Sequence, residues 1–185
     1  MIDLEQPNQL TKYKSTLKDT SKEQNEVVYM TESLYNVVNF DSVKKKSCNR
    51  KFCGLRSNDA LLIPSPNSNE KFAFIEFKNG CIEDKGAITQ ITEKIYESLL
   101  IFNEIVQENL SFDKENIVYI LVYNENDNGK FSTDAHSAQL ANEKYIIPDL
   151  ERYQKLFFDF QTLNKIEFQK ITDELDKGNY PFHAN

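Results

Sequence analysis

Ser57-Asn-Asp-Ala-Leu-Leu-Ile-Pro64 and Lys71-Phe-Ala-Phe-Ile-Glu-Phe-Lys78 are the two segments whose reading decides the fold. In the second, Phe72, Phe74, Glu76 and Lys78 fall on one face of a strand, because successive strand residues point to opposite sides. In the first, Ala60 to Ile63 is a short apolar run of the kind found in a strand covered on both faces. The connection, Pro64-Ser-Pro-Asn-Ser-Asn-Glu70, is almost entirely turn-forming, so the simplest arrangement is an antiparallel hairpin. A loop centred between Asn67 and Ser68 sets Ile63 opposite Phe72 and Asp59 opposite Glu76. Facing residues of such a pair have Cβ atoms about 4.5–5.5 Å apart. Two carboxylates that close repel unless a cation lies between them. A hard divalent ion such as Mg²⁺ or Mn²⁺ meets that need with only one or two protein carboxylates and several waters. Lys78, on the same face, is placed to orient or deprotonate a metal-bound water, or to steady the negative charge of a phosphodiester transition state.

Asp59, a spacer, and then Glu76-Phe77-Lys78 resemble the catalytic signature of the PD-(D/E)XK nuclease superfamily. Asn58 stands where that signature has its proline. The resemblance implies a restriction-endonuclease-like αβββαβ core with additional C-terminal helices, and a Mg²⁺ or Mn²⁺ cofactor held by Asp59, Glu76 and the Phe77 carbonyl. In the superfamily the helix before the sheet often adds an acidic residue to the metal site. By resemblance that residue is Glu32, with Glu26 as second choice; the alternative for Glu32 is an acid favoured at a helix start by the dipole. A glutamine on the helix after Glu-x-Lys contacts the catalytic centre in several branches, and Gln90 takes that place.

Working outward, Leu34, Val37, Val38 and Asp41 recur at helical spacing and predict a first helix from about Glu26 or Thr31 to Val43, with Thr31 as N-cap. Cys48 to Leu55 is expected to be a strand beside the hairpin. Lys44, Lys45, Lys46, Arg50, Lys51 and Arg56 form a basic stretch free of acids that runs into the hairpin. These side chains suit a phosphate backbone, or alternatively a charged sheet edge that discourages aggregation. Ile88, Ile91, Ile95, Leu99, Phe102, Ile105 and Val106 predict a long amphipathic helix from Ala87 to about Leu110. Lys94 lies one turn from Gln90 on it and can reach phosphate from the same face. Asn116 to Tyr123 is β-branched and apolar, which predicts an internal strand joined in parallel through that helix. Beyond a polar loop, Leu150 to Leu175 carries helical periodicity after Pro148, ended by Gly178.

The chain of 185 residues fits one domain. It is expected to divide into a polar segment over 1–25, a nuclease-like core over 26–124, and a loop with C-terminal helices over 125–185. Net charge is −7, so the basic stretch, not the total, has to attract nucleic acid. No apolar run approaches the roughly 20 residues of a membrane helix, and the start lacks the pattern of a signal peptide. A cytoplasmic protein is expected, and its three cysteines are then reduced thiols, not zinc ligands. No Walker loop, dinucleotide fingerprint or internal repeat is present. The function these features imply is phosphodiester hydrolysis in nucleic acid, DNA before RNA, in restriction, repair or phage defence, with a homodimer or a larger complex as the assembly. The alternative is a nuclease-like module that binds without cutting.

Overall fold

The computed structural model describes residues 10–23, 28–47, 54–82, 84–124, 128, 150 and 152–183. Its strands, in chain order, are β1 (Lys14–Thr16), β2 (Asn36–Asn39), β3 (Ala60–Leu62), β4 (Phe72–Lys78), β5 (Ile117–Tyr123) and β6 (Asp159–Asn164). They form one six-stranded sheet in sequential order, antiparallel from β1 to β4 and parallel from β4 to β6. The helices are α1 (Leu17–Thr20), α2 (Phe40–Ser47), α3 (Lys85–Val106), α4 (Leu110–Asn116) and α5 (Lys165–Asp176). The protein is therefore of the α/β class with a mixed sheet.

The hairpin has the register expected from its loop. Ala60 pairs with Ile75, Leu61 with Phe74 and Leu62 with Ala73, and Asn67 takes a φ of 61° at the loop centre, where asparagine is tolerated. Alternation along the strands sorts the core into two layers. Leu61, Phe72, Phe74, Tyr119 and Leu121 pack with Ile91, Ile95, Leu99 and Phe102 of α3 on one face. Ala60, Ala73, Ile75, Val118 and Ile120 pack with Phe168 and Leu175 of α5 on the other. Every residue of β5 is buried, as a strand covered on both faces requires. The α3 helix starts on the Asp84 side chain, which accepts from the Gly86 N–H at 2.8 Å. It ends at Gln107 (φ 59°), short of the expected Leu110, because Asn109 caps a new helix, α4.

Three expectations are corrected. The helix over Thr31–Val43 is instead an extended segment, strand β2, and a helix that begins only at Phe40. Val37 and Val38 favour a strand by β-branching. The Asn39 side chain accepts from the Ser42 N–H at 2.8 Å and starts α2 there, while Leu34, the first of the residues at helical spacing, is 70% exposed. The strand beside the hairpin is β2 and not Cys48–Leu55; residues 48–53 lie outside those described, and Leu55 is in no strand. The C-terminal region is not wholly helical. Phe160 and Thr162 alternate with half-buried neighbours in β6, and helix begins only at Lys165, behind a capping box between Asn164 and Glu167. Gly178, in the left-handed region at φ 84°, follows the end of α5 as expected. The segment after it closes the hairpin's loop end: the Lys71 N–H donates to the Phe182 carbonyl at 2.8 Å.

Candidate functional site

Continuing the β3–β4 register by one step puts Asp59 opposite Glu76. The Asp59 N–H donates to the Ile75 carbonyl at 3.2 Å, and the Phe77 N–H donates to Asp59 Oδ2 at 2.7 Å. Both carboxylates face α3, which carries Lys94 over them. The Lys94 ammonium lies 2.6 Å from Glu76 Oε1 and 3.1 Å from Asp59 Oδ1. Glu76 is 2% exposed, and its Oε2 is buried without a hydrogen-bond partner. Beneath the pair a buried polar floor is formed by Asn58 and Ser98. The Asn58 N–H donates to Ser98 Oγ at 2.8 Å, and the Tyr119 hydroxyl donates to Asn58 Oδ1 at 3.3 Å.

The electrostatics follow from burial. Loss of water raises the Glu76 carboxyl to about 8, helped by the Asp59 charge and opposed by Lys94 and Lys78. Asp59 is raised for the same first reason, against the pull of Lys94 and the Phe77 N–H, with Asp41 adding to the rise. Burial works against the Lys94 ammonium, but the Glu76 and Asp59 carboxylates outweigh it and hold its pKa above the ordinary value. Tyr119, fully buried behind the pair, is held well above the usual phenol range by burial and by both carboxylates.

Asp59, Lys78 and Lys94 open onto a cavity of about 470 Å³ that Asp19, Asp41 and Lys45 also line. Sequence reasoning found the centre of this arrangement, and the structure brings together Asp59, Glu76, Lys78 and Lys94. Lys94 is not a free phosphate contact, however, but the ammonium between the two carboxylates. Glu32 is exposed, pairs with Lys18 at 2.6 Å and does not line the cavity. Gln90 is exposed and likewise lines no part of it. Of the basic stretch, Lys45 reaches the cavity, while Arg56 is turned to Glu93 at 2.6 Å. Lys44 and Lys46 lie on α2 away from the lining; Arg50, Lys51 and Glu26 lie outside the described residues.

Asp41 and Asp19 were missed. Asp41 sits in the first turn of α2 and accepts from the Ser57 hydroxyl. The sequence signal was Asn39 three residues before Ser42, a cap signature directly after a β-branched pair. Thr16-Leu-Lys-Asp19 is likewise a capping pattern, and the Thr16 hydroxyl accepts from the Asp19 N–H at 3.1 Å.

Among the described residues no cluster of three or more His, Cys, Asp or Glu forms a ready-made metal cage. The donor chemistry nonetheless suits one hard cation, which one or two carboxylates and waters can hold, and the buried Glu76 Oε2 lacks the partner such a group normally has. No helix among the described residues is long and apolar enough to cross a membrane. No protein-family model matches this chain, and no curated protein or solved structure matches it significantly.

Proposed function

We propose that this protein is a metal-dependent nuclease of the PD-(D/E)XK type, acting on DNA before RNA. The observation that carries the reading is Asp59 facing Glu76 across β3 and β4, with Lys78 next along the same face at a polar cavity. Antiparallel strands β2, β3 and β4, with α2 between the first two, followed by α3, α4 and the parallel strand β5, support the βββαβ part of the core that the Glu-x-Lys resemblance implies.

Asp59 and Glu76 would hold Mg²⁺ or Mn²⁺. In an antiparallel pair the N–H and C=O of one residue leave the strand on the same side, so the Phe77 carbonyl points past Asp59 and can join them. Bound there, the ion would lower the pKa of its water and polarise a phosphoryl oxygen. Lys78 orients the attacking water and balances the charge that gathers on the phosphoryl oxygens as the P–O bond to the leaving group breaks. Asp59 is fixed for this by the Phe77 N–H, and Glu76 by its burial. Lys45 supplies positive charge where a nucleic-acid backbone would enter.

One observation favours a second reading. Lys94 already bridges the two carboxylates, which is how a non-catalytic binding module of this fold would balance them. The deciding experiment incubates purified protein with Mg²⁺ or Mn²⁺ and single- and double-stranded DNA and RNA, alongside Glu76→Gln and Lys78→Ala. Metal-dependent cleavage lost in both variants is expected. Cleavage that persists in both removes these residues from catalysis, and absence of any cleavage by wild type favours the binding module.

A further inference from the structure

Lys94 holds a position that the proposed chemistry does not use. Its ammonium touches one oxygen of each carboxylate, at 2.6 Å and 3.1 Å, which is the space between the pair that a divalent cation needs. It does not complete the site, because Glu76 Oε2 stays buried and unpartnered. Nor is it locked in. The Lys94 side chain is 23% exposed, against 3% for Glu76, and it lines the cavity directly. A flexible four-carbon stem lets the ammonium leave without moving its helix.

We propose that Lys94 is a displaceable internal counter-ion: it holds Asp59 and Glu76 together in the metal-free protein and withdraws into the adjoining cavity when a divalent cation enters. The inference rests on the reading of the carboxylate pair as a metal site. It gives that site a built-in competitor, so the measured metal affinity is the intrinsic one reduced by the fraction of molecules in which Lys94 has moved aside. Once withdrawn, Lys94 adds its charge to that of Lys22, Lys45 and Lys78 in a cavity that Asp19, Glu23 and Asp41 also line, and so shifts its balance toward positive. Metal binding and polyanion binding then strengthen each other, as linkage requires.

The test is calorimetric titration of MnCl₂ and MgCl₂ into wild type, Lys94→Met and Lys78→Met at one pH. Lys94→Met is expected to bind about tenfold tighter or more, with Lys78→Met changing much less; binding seen only in Lys94→Met supports the proposal equally. Saturable binding in wild type that is unchanged or weaker in Lys94→Met overturns the displacement and leaves the metal site standing. No binding in any of the three overturns the metal site and this inference with it. Should Lys94→Met fail to fold, the side-chain ¹⁵N signal of Lys94 in the wild-type protein, assigned through its own backbone, gives the same answer. It should shift and exchange faster with water as metal is added, and a signal unmoved at metal saturation overturns the proposal.

Discussion

Asp59 stands across the β3–β4 pair from Glu76, one step beyond the paired Ala60 and Ile75, and the ammonium of Lys94 bridges the two. One positive charge therefore serves two carboxylates, of which Glu76 is buried away from the water that reaches Asp59 and Lys94. The consequence is a proton held more tightly in the folded protein than in the unfolded chain.

That consequence sets a pH dependence. Burial, then the Asp59 charge, raise the Glu76 carboxyl from its ordinary 4.5 to about 8. A group raised on folding contributes stability that is complete below its unfolded value and lost as pH rises through the folded one. Lys94 works in a window above 10.5, so it does not interfere. Asp113, raised to about 6 chiefly by burial, contributes equally with or without Glu76. In metal-free buffer the wild type should lose stability from about pH 5 to pH 8, by up to roughly 1.4 kcal/mol per pH unit more than Glu76→Gln. Denaturant melts of both proteins across that range measure the difference, and parallel profiles would sink the assignment.

The cavity decides between two acids. Asp41 lines it and its charge acts on Asp59, whereas Glu32 is exposed and occupied by Lys18. Asp41→Asn should weaken Mn²⁺ binding by about three- to tenfold through lost negative potential, and Glu32→Gln should leave it unchanged. A reversed order in the same titrations would restore Glu32 to the site.

The hairpin was legible because its loop length and period-2 alternation fix the register, and that register alone places Asp59, Glu76 and Lys78. Lys94 was legible as a member of the right helix face but not as the bridging cation, since how far a helix leans over a sheet is a tertiary matter. The first helix was misread because Leu34, Val37, Val38 and Asp41 satisfy a helical period by coincidence. Two valines between Asn36 and Asn39 fit a short strand equally well, and pairing with β3 decides. Strand β6 was hidden in the same way. Phe157, Phe160 and Leu163 repeat every three residues, while Phe160 and Thr162 alternate, and only the open edge of β5 selects the second pattern.

The boundary between β6 and α5 can be tested alone. Asn164 Oδ1 accepts from the Glu167 N–H and Glu167 Oε2 accepts from the Asn164 N–H, each at 2.8 Å. Asn164→Ala removes one half of that box at a helix start and should cost about 1 kcal/mol. Thermal or urea unfolding reads this directly, with metal binding unaffected. A loss of metal binding would mean that α5 positions the site.

Lys45 and Arg56 came from the same basic stretch, and the structure separates them. Lys45 lies in the last turn of α2, where the helix dipole favours a cation, and it faces the cavity beside Asp59. Arg56 is engaged twice, its side chain with Glu93 at 2.6 Å and its backbone N–H with Glu97. Each lysine that neutralises a phosphate releases about 0.9 of a counterion from duplex DNA or about 0.7 from a single strand. In a salt titration of oligonucleotide binding, Lys45→Gln should therefore lower the slope of log K against log salt by about that amount. Arg56→Gln should leave it where it was. The size of the Lys45 step also bears on the strandedness of the preferred substrate, and a slope identical in Lys45→Gln and wild type would remove this side of the cavity from the path of the nucleic acid.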